Sequence, residues 1–183
     1  MKIPPHAKLI FKGVIFDIYQ WEQKMFDGTT ATFEMAKRPD TSQVIATRGD
    51  KIIICHQEQP DRALYLSLFG GRIERGEEPL VGAKRELQEE AGLASEQWKL
   101  LRTHNPSHKI DWTIYYYIAK NCKIVAEPHL DSGEKIELLE ISFDEFVQAV
   151  TNDKLYSPNL ANNLLRAKLD PPKLEEFRRQ LFD

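Results

Sequence analysis

The sequence predicts an α+β protein, a mixed sheet flanked by helices and preceded by an N-terminal arm of antiparallel strands. Three observations carry this. Segments rich in β-branched and aromatic residues, punctuated by turn dipeptides, run as far as Leu68. One helix-period stretch, opened by Pro79 and stopped by Gly92, then interrupts the strands. After further strands the chain ends in segments with helix-start signals. Strands, helix, strands, then helices is not the alternation of a doubly wound parallel sheet.

In the arm, Val14 to Phe26 reads as a strand, Asp27-Gly28 as a turn, and Thr29 to Ala36 as its antiparallel return. Pro39-Asp40 breaks the run. Gln43 to Thr47 and Ile52 to His56 form a second hairpin around Arg48-Gly49-Asp50, and Ala63 to Leu68 is another strand. In the helix, Leu80, Ala83, Leu87 and Ala91 share the core-facing side. Leu100 to His104, Thr113 to Ala119 and Lys135 to Ile141 read as strands. Ser142 with Glu145 is a capping box, Ser157-Pro158 opens a second C-terminal helix, and Asp170-Pro171-Pro172 opens the last. The expected organisation is an arm over 1–42, a central domain over 43–153 and a helical extension over 154–183.

The chain has 183 residues and a formal net charge of -3, without the basic excess of a general nucleic-acid binder. An acidic protein that handles phosphates needs local cations. Cys55 and Cys122 lie in apolar stretches and are expected to be buried free thiols. Met1 to Lys8 has no long apolar core and no run reaches membrane-spanning length, so the expected location is the cytoplasm, with no membrane partner.

The chemistry concentrates in Gly71 to Leu93, GRIERGEEPLVGAKRELQEEAGL. Glu86 and Glu90 are one helical turn apart on one side, with Glu89 close by. Crowded carboxylates weaken a helix by a few tenths of a kcal/mol (about 0.2–0.5). A hard cation reverses that sign, because carboxylate oxygens, waters and substrate phosphates are the ligands Mg²⁺ takes. Mn²⁺ suits the same oxygens. Arg85 can pair with Glu89 along the helix or with Glu77 across the loop, holding the acids in place. A lone Glu-Glu pair would more simply be a solvated face. Arg38, Arg48 and Arg72 are candidate phosphate clamps, Arg72 foremost because it adjoins this stretch. Tyr19, Trp21, Phe26, Phe69 and Trp112 offer flat faces for a base or sugar, though each also reads as core or interface filler. His104 and His108 could contact phosphate or sugar, though each reads more simply as a satisfied structural histidine.

The whole stretch resembles the Nudix box. Gly71, Glu77, Arg85, Glu86, Leu87, Glu89, Glu90, Gly92 and Leu93 fill every position of its signature, a chance match on the order of 10⁻⁸. The resemblance implies an αβα sandwich in which the box forms loop, helix and loop. It implies Glu86 and Glu90 as principal metal ligands, Glu89 as ligand or base, the Gly70 carbonyl as a further ligand, and Glu77 and Arg85 as orienting residues. A late-loop Glu that serves as base or metal ligand in relatives cutting ADP-ribose corresponds to Glu134, with Glu137 second.

The strand-rich arm resembles the ADP-ribose and nucleotide-sugar pyrophosphatase branch, as do Ile73, Glu74, Gly76, Glu77 and Pro79, and downstream Pro106 and Asp111. In that branch the arm builds a homodimer and part of the nucleotide pocket. The implied function is metal-dependent hydrolysis of a diphosphate bond in a small-molecule nucleotide, a nucleotide sugar or ADP-ribose. The alternatives are a house-cleaning hydrolase of nucleoside triphosphates or dinucleoside polyphosphates, and a non-catalytic ligand-sensing or interaction module. Two departures fall on substrate-binding positions. Leu66 to Gly71 lacks the Glu and Pro with which the branch enters the box, and Gln57-Glu58-Gln59 lacks its Arg, with Arg62 nearby.

Overall fold

The computed structural model describes residues 2–60, 62–130, 132–133 and 135–183. The arm holds β1 (Lys8–Lys12), β2 (Asp17–Lys24) and β3 (Thr30–Lys37), antiparallel in that order. The β2–β3 turn is made by Asp27, whose carboxylate accepts from the Thr29 amide at 2.9 Å, and by Gly28 at φ 86°, a conformation L side chains avoid. The strand expected from Val14 begins only at Asp17. The Gly13 amide donates to the Phe16 carbonyl at 3.1 Å and closes a turn there.

β4 (Thr41–Arg48) and β5 (Lys51–Gln59) form the second hairpin, and β6 (Arg62–Ser67) returns along β5. Helix α1 (Pro79–Ala91) follows. Then come β7 (Leu93–Ala94), β8 (Gln97–His104), β9 (Ile110–Asp111), β10 (Ile114–Lys120), β11 (Lys123–Ile124) and β12 (Lys135–Ile141). The chain closes with α2 (Phe143–Thr151), α3 (Pro158–Lys168) and α4 (Pro171–Phe182). The capping box forms as expected, with the Glu145 carboxylate accepting from the Ser142 amide at 2.8 Å and the Ser142 hydroxyl accepting from the Glu145 amide.

The central sheet runs β12-β5-β4-β10-β8, with β6 also on β5. It is mixed, because β10 lies parallel to β4 while the other neighbours are antiparallel. Side-chain alternation sorts the apolar runs onto two faces. Val44, Ala46, Ile53, Cys55, Tyr117 and Ala119 meet Ala83, Leu87 and Ala91 of α1. Ile45, Ile52, Ile54, Tyr116 and Ile118 meet Phe146 and Val150 of α2, Leu160 and Leu164 of α3, and Leu181 of α4. With both faces covered, this is the αβα sandwich, and it explains why Ile52 to Cys55 is apolar without interruption.

The arm sheet β1-β2-β3 ends on β9, which lies parallel to β3. That contact ties the arm to the loop before β10. Cys55 and Cys122 are buried and form no disulfide, and burial pushes the Cys122 thiol up to about 11. Among the described residues no helix is long and apolar enough to cross a membrane.

Candidate active site

With β10 along one edge, the N-terminal half of β4 pairs along the other, where its pairing with β5 has ended, with the loop that enters α1. Val44 pairs with Phe69 and Thr41 with Arg72, and the Ser42 amide donates to the Gly71 carbonyl at 3.0 Å. This close approach requires glycine at 70. Its φ is 133°, and a Cβ there would lie 2.1 Å from the Ser42 carbonyl oxygen. Pro79 at the first turn and Gly92 in the left-handed C-cap set the length of α1, and the register of that helix places the acids.

Arg85 is the hub. Its guanidinium donates to Glu77 at 3.0 and 3.1 Å, to Glu86 at 2.9 Å and to Glu89 at 2.9 Å, and also to the Arg72 carbonyl at 3.0 Å. Both pairings open to Arg85 in the sequence are therefore made at once. Hydrogen bonding to Glu77, and then the charge of Glu86, raises the affinity of Arg85 for its proton. The same Arg85 bonds, and the Glu74 amide at 2.8 Å, hold the Glu77 carboxyl below the usual range against the opposing effect of burial.

Glu86 lies against the backbone of Gly71, where a Cβ would sit 2.6 Å from both carboxylate oxygens. Glu90, only 8% exposed, accepts from the Gly70 amide at 2.8 Å. The two acids thus converge on Gly70–Gly71, while the Glu89 side chain stays 45% exposed. Among the described residues no three acidic, histidine or cysteine side chains already form a metal-holding group. The donor set is nevertheless all oxygen, with three carboxylates on one guanidinium and a fourth beside them. That chemistry fits a hard divalent cation.

Gly82 escaped the sequence reading. A Cβ there would come 2.9 Å from a Glu77 oxygen, so a glycine inside α1 makes room for the acid that Arg85 holds. The available signal was a glycine within a helical pattern.

The other expected site residues divide. The Arg38 guanidinium loses proton affinity first to burial and then to the charge of Arg72, which acts on it through space. The Asp111 carbonyl accepts from the Arg38 amide at 3.3 Å. Tyr19 is half-buried on β2 between Leu9 and Met35. Trp21 is 7% exposed, packs on Phe33 with ring centroids 5.9 Å apart, and belongs to the arm's own packing.

Arg48 is not brought to the box. It ends β4 at the far end from Thr41 and pairs with Glu140. His104 contacts Asn159 at 3.1 Å. Glu137 faces His56 at 3.5 Å. Glu134 lies outside the described residues.

Residues 37–162 match the family model for the NUDIX domain. Among curated proteins, the chain is 31% identical to the methanol dehydrogenase activator of Bacillus methanolicus, over 80% of this chain and 82% of that one. It is 26% identical to the ADP-ribose pyrophosphatase of Bacillus subtilis (strain 168), over 83% and 84%. Among solved structures, an ADP compounds hydrolase superposes with a TM-score of 0.72 over 92% of this chain and 94% of that one, at 15% identity, which speaks for the fold. The chain belongs to the NUDIX domain family and is a Nudix pyrophosphohydrolase resembling its ADP-ribose pyrophosphatase branch.

Proposed function

We propose that the chain is a metal-dependent hydrolase of the diphosphate bond in a nucleoside diphosphate joined to a second moiety, with ADP-ribose or a nucleotide sugar as substrate class. The observation that carries the reading is the convergence of Glu86 and Glu90 on Gly70–Gly71 beside the carboxylates gathered by Arg85. Glu86, Glu90, the Gly70 carbonyl and Glu89 are the proposed ligands of Mg²⁺, with Mn²⁺ accepted by the same oxygens. When bound, the cation neutralises the diphosphate and acidifies water.

The chain's own residues do the rest. Arg85 keeps Glu86 and Glu89 oriented, so the carboxylates are positioned before substrate arrives. Glu77 fixes Arg85 from the loop side. Glu89, the more exposed acid of the group, and Glu134 are the two candidates for taking the proton of the attacking water. Arg72 and Arg38 face the phosphates, with Asp111 and Tyr19 on the nucleotide side. Arg48 and Trp21, held elsewhere, are not part of the proposed site.

The arm over 1–42 is proposed to pair with a second copy, because Leu9, Ile10, Phe11, Val14 and Ile15 are exposed apolar residues close together in sequence. Residues 43–153 and 154–183 are proposed as the hydrolase domain and its helical extension.

Product release is to be measured across ADP-ribose, nucleotide sugars, dinucleoside polyphosphates and nucleoside triphosphates, with Mg²⁺ and with a chelator. Metal-dependent cleavage of the first two classes is expected. Cleavage of triphosphates or dinucleoside polyphosphates alone would replace the substrate class. Glu90→Gln is expected to abolish turnover with the fold intact, and undiminished turnover would sink the ligand assignment. The 31% identity to a methanol dehydrogenase activator favours a second reading, in which the chain acts on a dehydrogenase. Activation of such an enzyme by wild type and by Glu90→Gln alike would separate that role from hydrolysis.

A further inference from the structure

We infer that Trp112 is a positioning residue for this reaction, its ring holding the Arg38 guanidinium beside Arg72 so that both present their N–H groups to a phosphoryl group of the substrate. The inference rests on Arg38 and Arg72 being phosphate contacts, as proposed above.

Arg38 directly follows β3, and its position depends on the loop before β10. The Ala36 amide donates to the Lys109 carbonyl at 3.0 Å and the Arg38 amide to the Asp111 carbonyl at 3.3 Å. The guanidinium carbon then lies 4.3 Å from the centroid of the Trp112 ring, with Phe16 at 5.8 Å. Tryptophan is the aromatic ring that attracts a guanidinium most strongly.

The ring is itself anchored. Its indole N–H donates to the Thr41 hydroxyl at 3.1 Å, the Thr41 amide donates to the Thr113 carbonyl at 3.0 Å, and the Asp40 carboxylate accepts from the Thr113 amide at 2.7 Å. Thr41 is also the bridge partner of Arg72. Trp112 therefore connects the two arginines through one residue of β4.

The arginines are short of acceptors. Arg38 Nε is buried without a hydrogen-bond partner, and among the described residues neither Arg38 nor Arg72 is in an ion pair. Two guanidiniums close enough to repel, one with a buried unpaired N–H, are matched by an anion. Stacking occupies the face of a guanidinium and leaves its edge for a planar, two-pronged contact with phosphate oxygens. Arg62, the other arginine near the position where the branch has one, lies over Tyr65 at 3.6 Å and Tyr156 at 5.7 Å.

The test is ADP affinity of the full chain by titration calorimetry, with EDTA present so that metal ligation plays no part. Arg38→Ala and Trp112→Leu are each expected to weaken ADP binding about tenfold, the scale of one charge-assisted hydrogen bond. Trp112→Phe keeps an aromatic face but loses the N–H donated to Thr41, so it is expected to weaken binding by about threefold, as Thr41→Val does and less than Trp112→Leu. The double variant Arg38→Ala/Trp112→Leu is expected to be no weaker than Arg38→Ala alone, because Trp112 acts through Arg38. Thr41→Val removes the anchor without touching the ring and is expected to weaken binding in the same direction, which keeps the test open if Trp112→Leu does not fold.

Additive losses in the double variant, or normal binding by both Trp112→Leu and Thr41→Val while Arg38→Ala is weakened, would overturn the positioning role and leave the phosphate contact standing. Normal binding by Arg38→Ala, or no measurable ADP binding by wild type, would overturn both.

Discussion

Replacing Gly71 with alanine puts a methyl carbon where the Glu86 carboxylate lies. The new atom would sit 2.6 Å from each oxygen and 2.7 Å from Cδ. Non-bonded atoms settle at roughly 3.5 Å, so the carboxylate must retreat by about 0.9 Å. What gives way is the end of a flexible side chain, and Gly71, unlike Gly70, has no left-handed φ to strain. The fold should therefore survive, with a melting temperature within about 2–4 °C of wild type. Catalysis should not. A misplacement near 1 Å of a group that positions reacting atoms costs on the order of 10²-fold in kcat, about 2.7 kcal/mol of barrier. The assay is steady-state turnover of the best substrate from the panel at saturating Mg²⁺, with thermal melting by circular dichroism on the same sample. Full turnover in a folded Gly71→Ala protein would refute the reasoning, because the position of the Glu86 carboxylate would then not matter. A 10²-fold loss accompanied by a large fall in melting temperature would say only that the loop had collapsed.

Arg85→Lys keeps the charge but cannot span Glu77, Glu86 and Glu89 with one planar fork, so kcat should fall about 10–100-fold, measured in the same assay. Ser142→Ala removes the N-cap of α2 and should cost about 1 kcal/mol in denaturant unfolding, with activity unchanged. Burial, then the charge of Arg102, holds the His104 imidazole below its ordinary 6.5. The unfolded chain therefore takes up a proton near that pH while the folded one resists, so this contribution to stability is whole above 6.5 and is lost progressively as pH falls below it. Melting between pH 8 and 5 should show that loss in wild type and a smaller one in His104→Gln, and parallel curves would remove His104 from the account.

How much of this was legible depended on how far apart in sequence the cooperating residues lie. Asp27-Gly28 and Arg48-Gly49-Asp50 announce their hairpins because a turn is a local event. The two-residue strands β7, β9 and β11 announce nothing, since alternation needs more residues than they have. The box was legible for the same reason as the turns. Helical spacing alone puts Glu86, Glu89 and Glu90 within reach of one another, and Arg85 within reach of them. Arg72 stands out among the candidate clamps because it adjoins the box, whereas Arg38 and Arg48 are interchangeable in sequence, because composition carries no distance. Only the direction of β4 separates them, since its eight residues at roughly 3.3 Å each carry Arg48 far from the Thr41 end where Arg72 pairs.

The difference between the two halves of the site follows from this. Metal-binding chemistry can be built on one loop and one helix, so the sequence holds it as a contiguous pattern. The substrate contacts proposed above draw on Phe16 of the arm, Arg38 after β3, Arg72 of the box and Trp112 before β10, four segments brought together where β9 docks on β3 and Thr41 bridges to Arg72. Those contacts can be rearranged without disturbing Glu86 or Glu90. A chain can therefore keep every position of the box while losing the arginine at Gln59 and the acid at Ser67, and the substrate must be sought in the residues that sequence spacing does not connect.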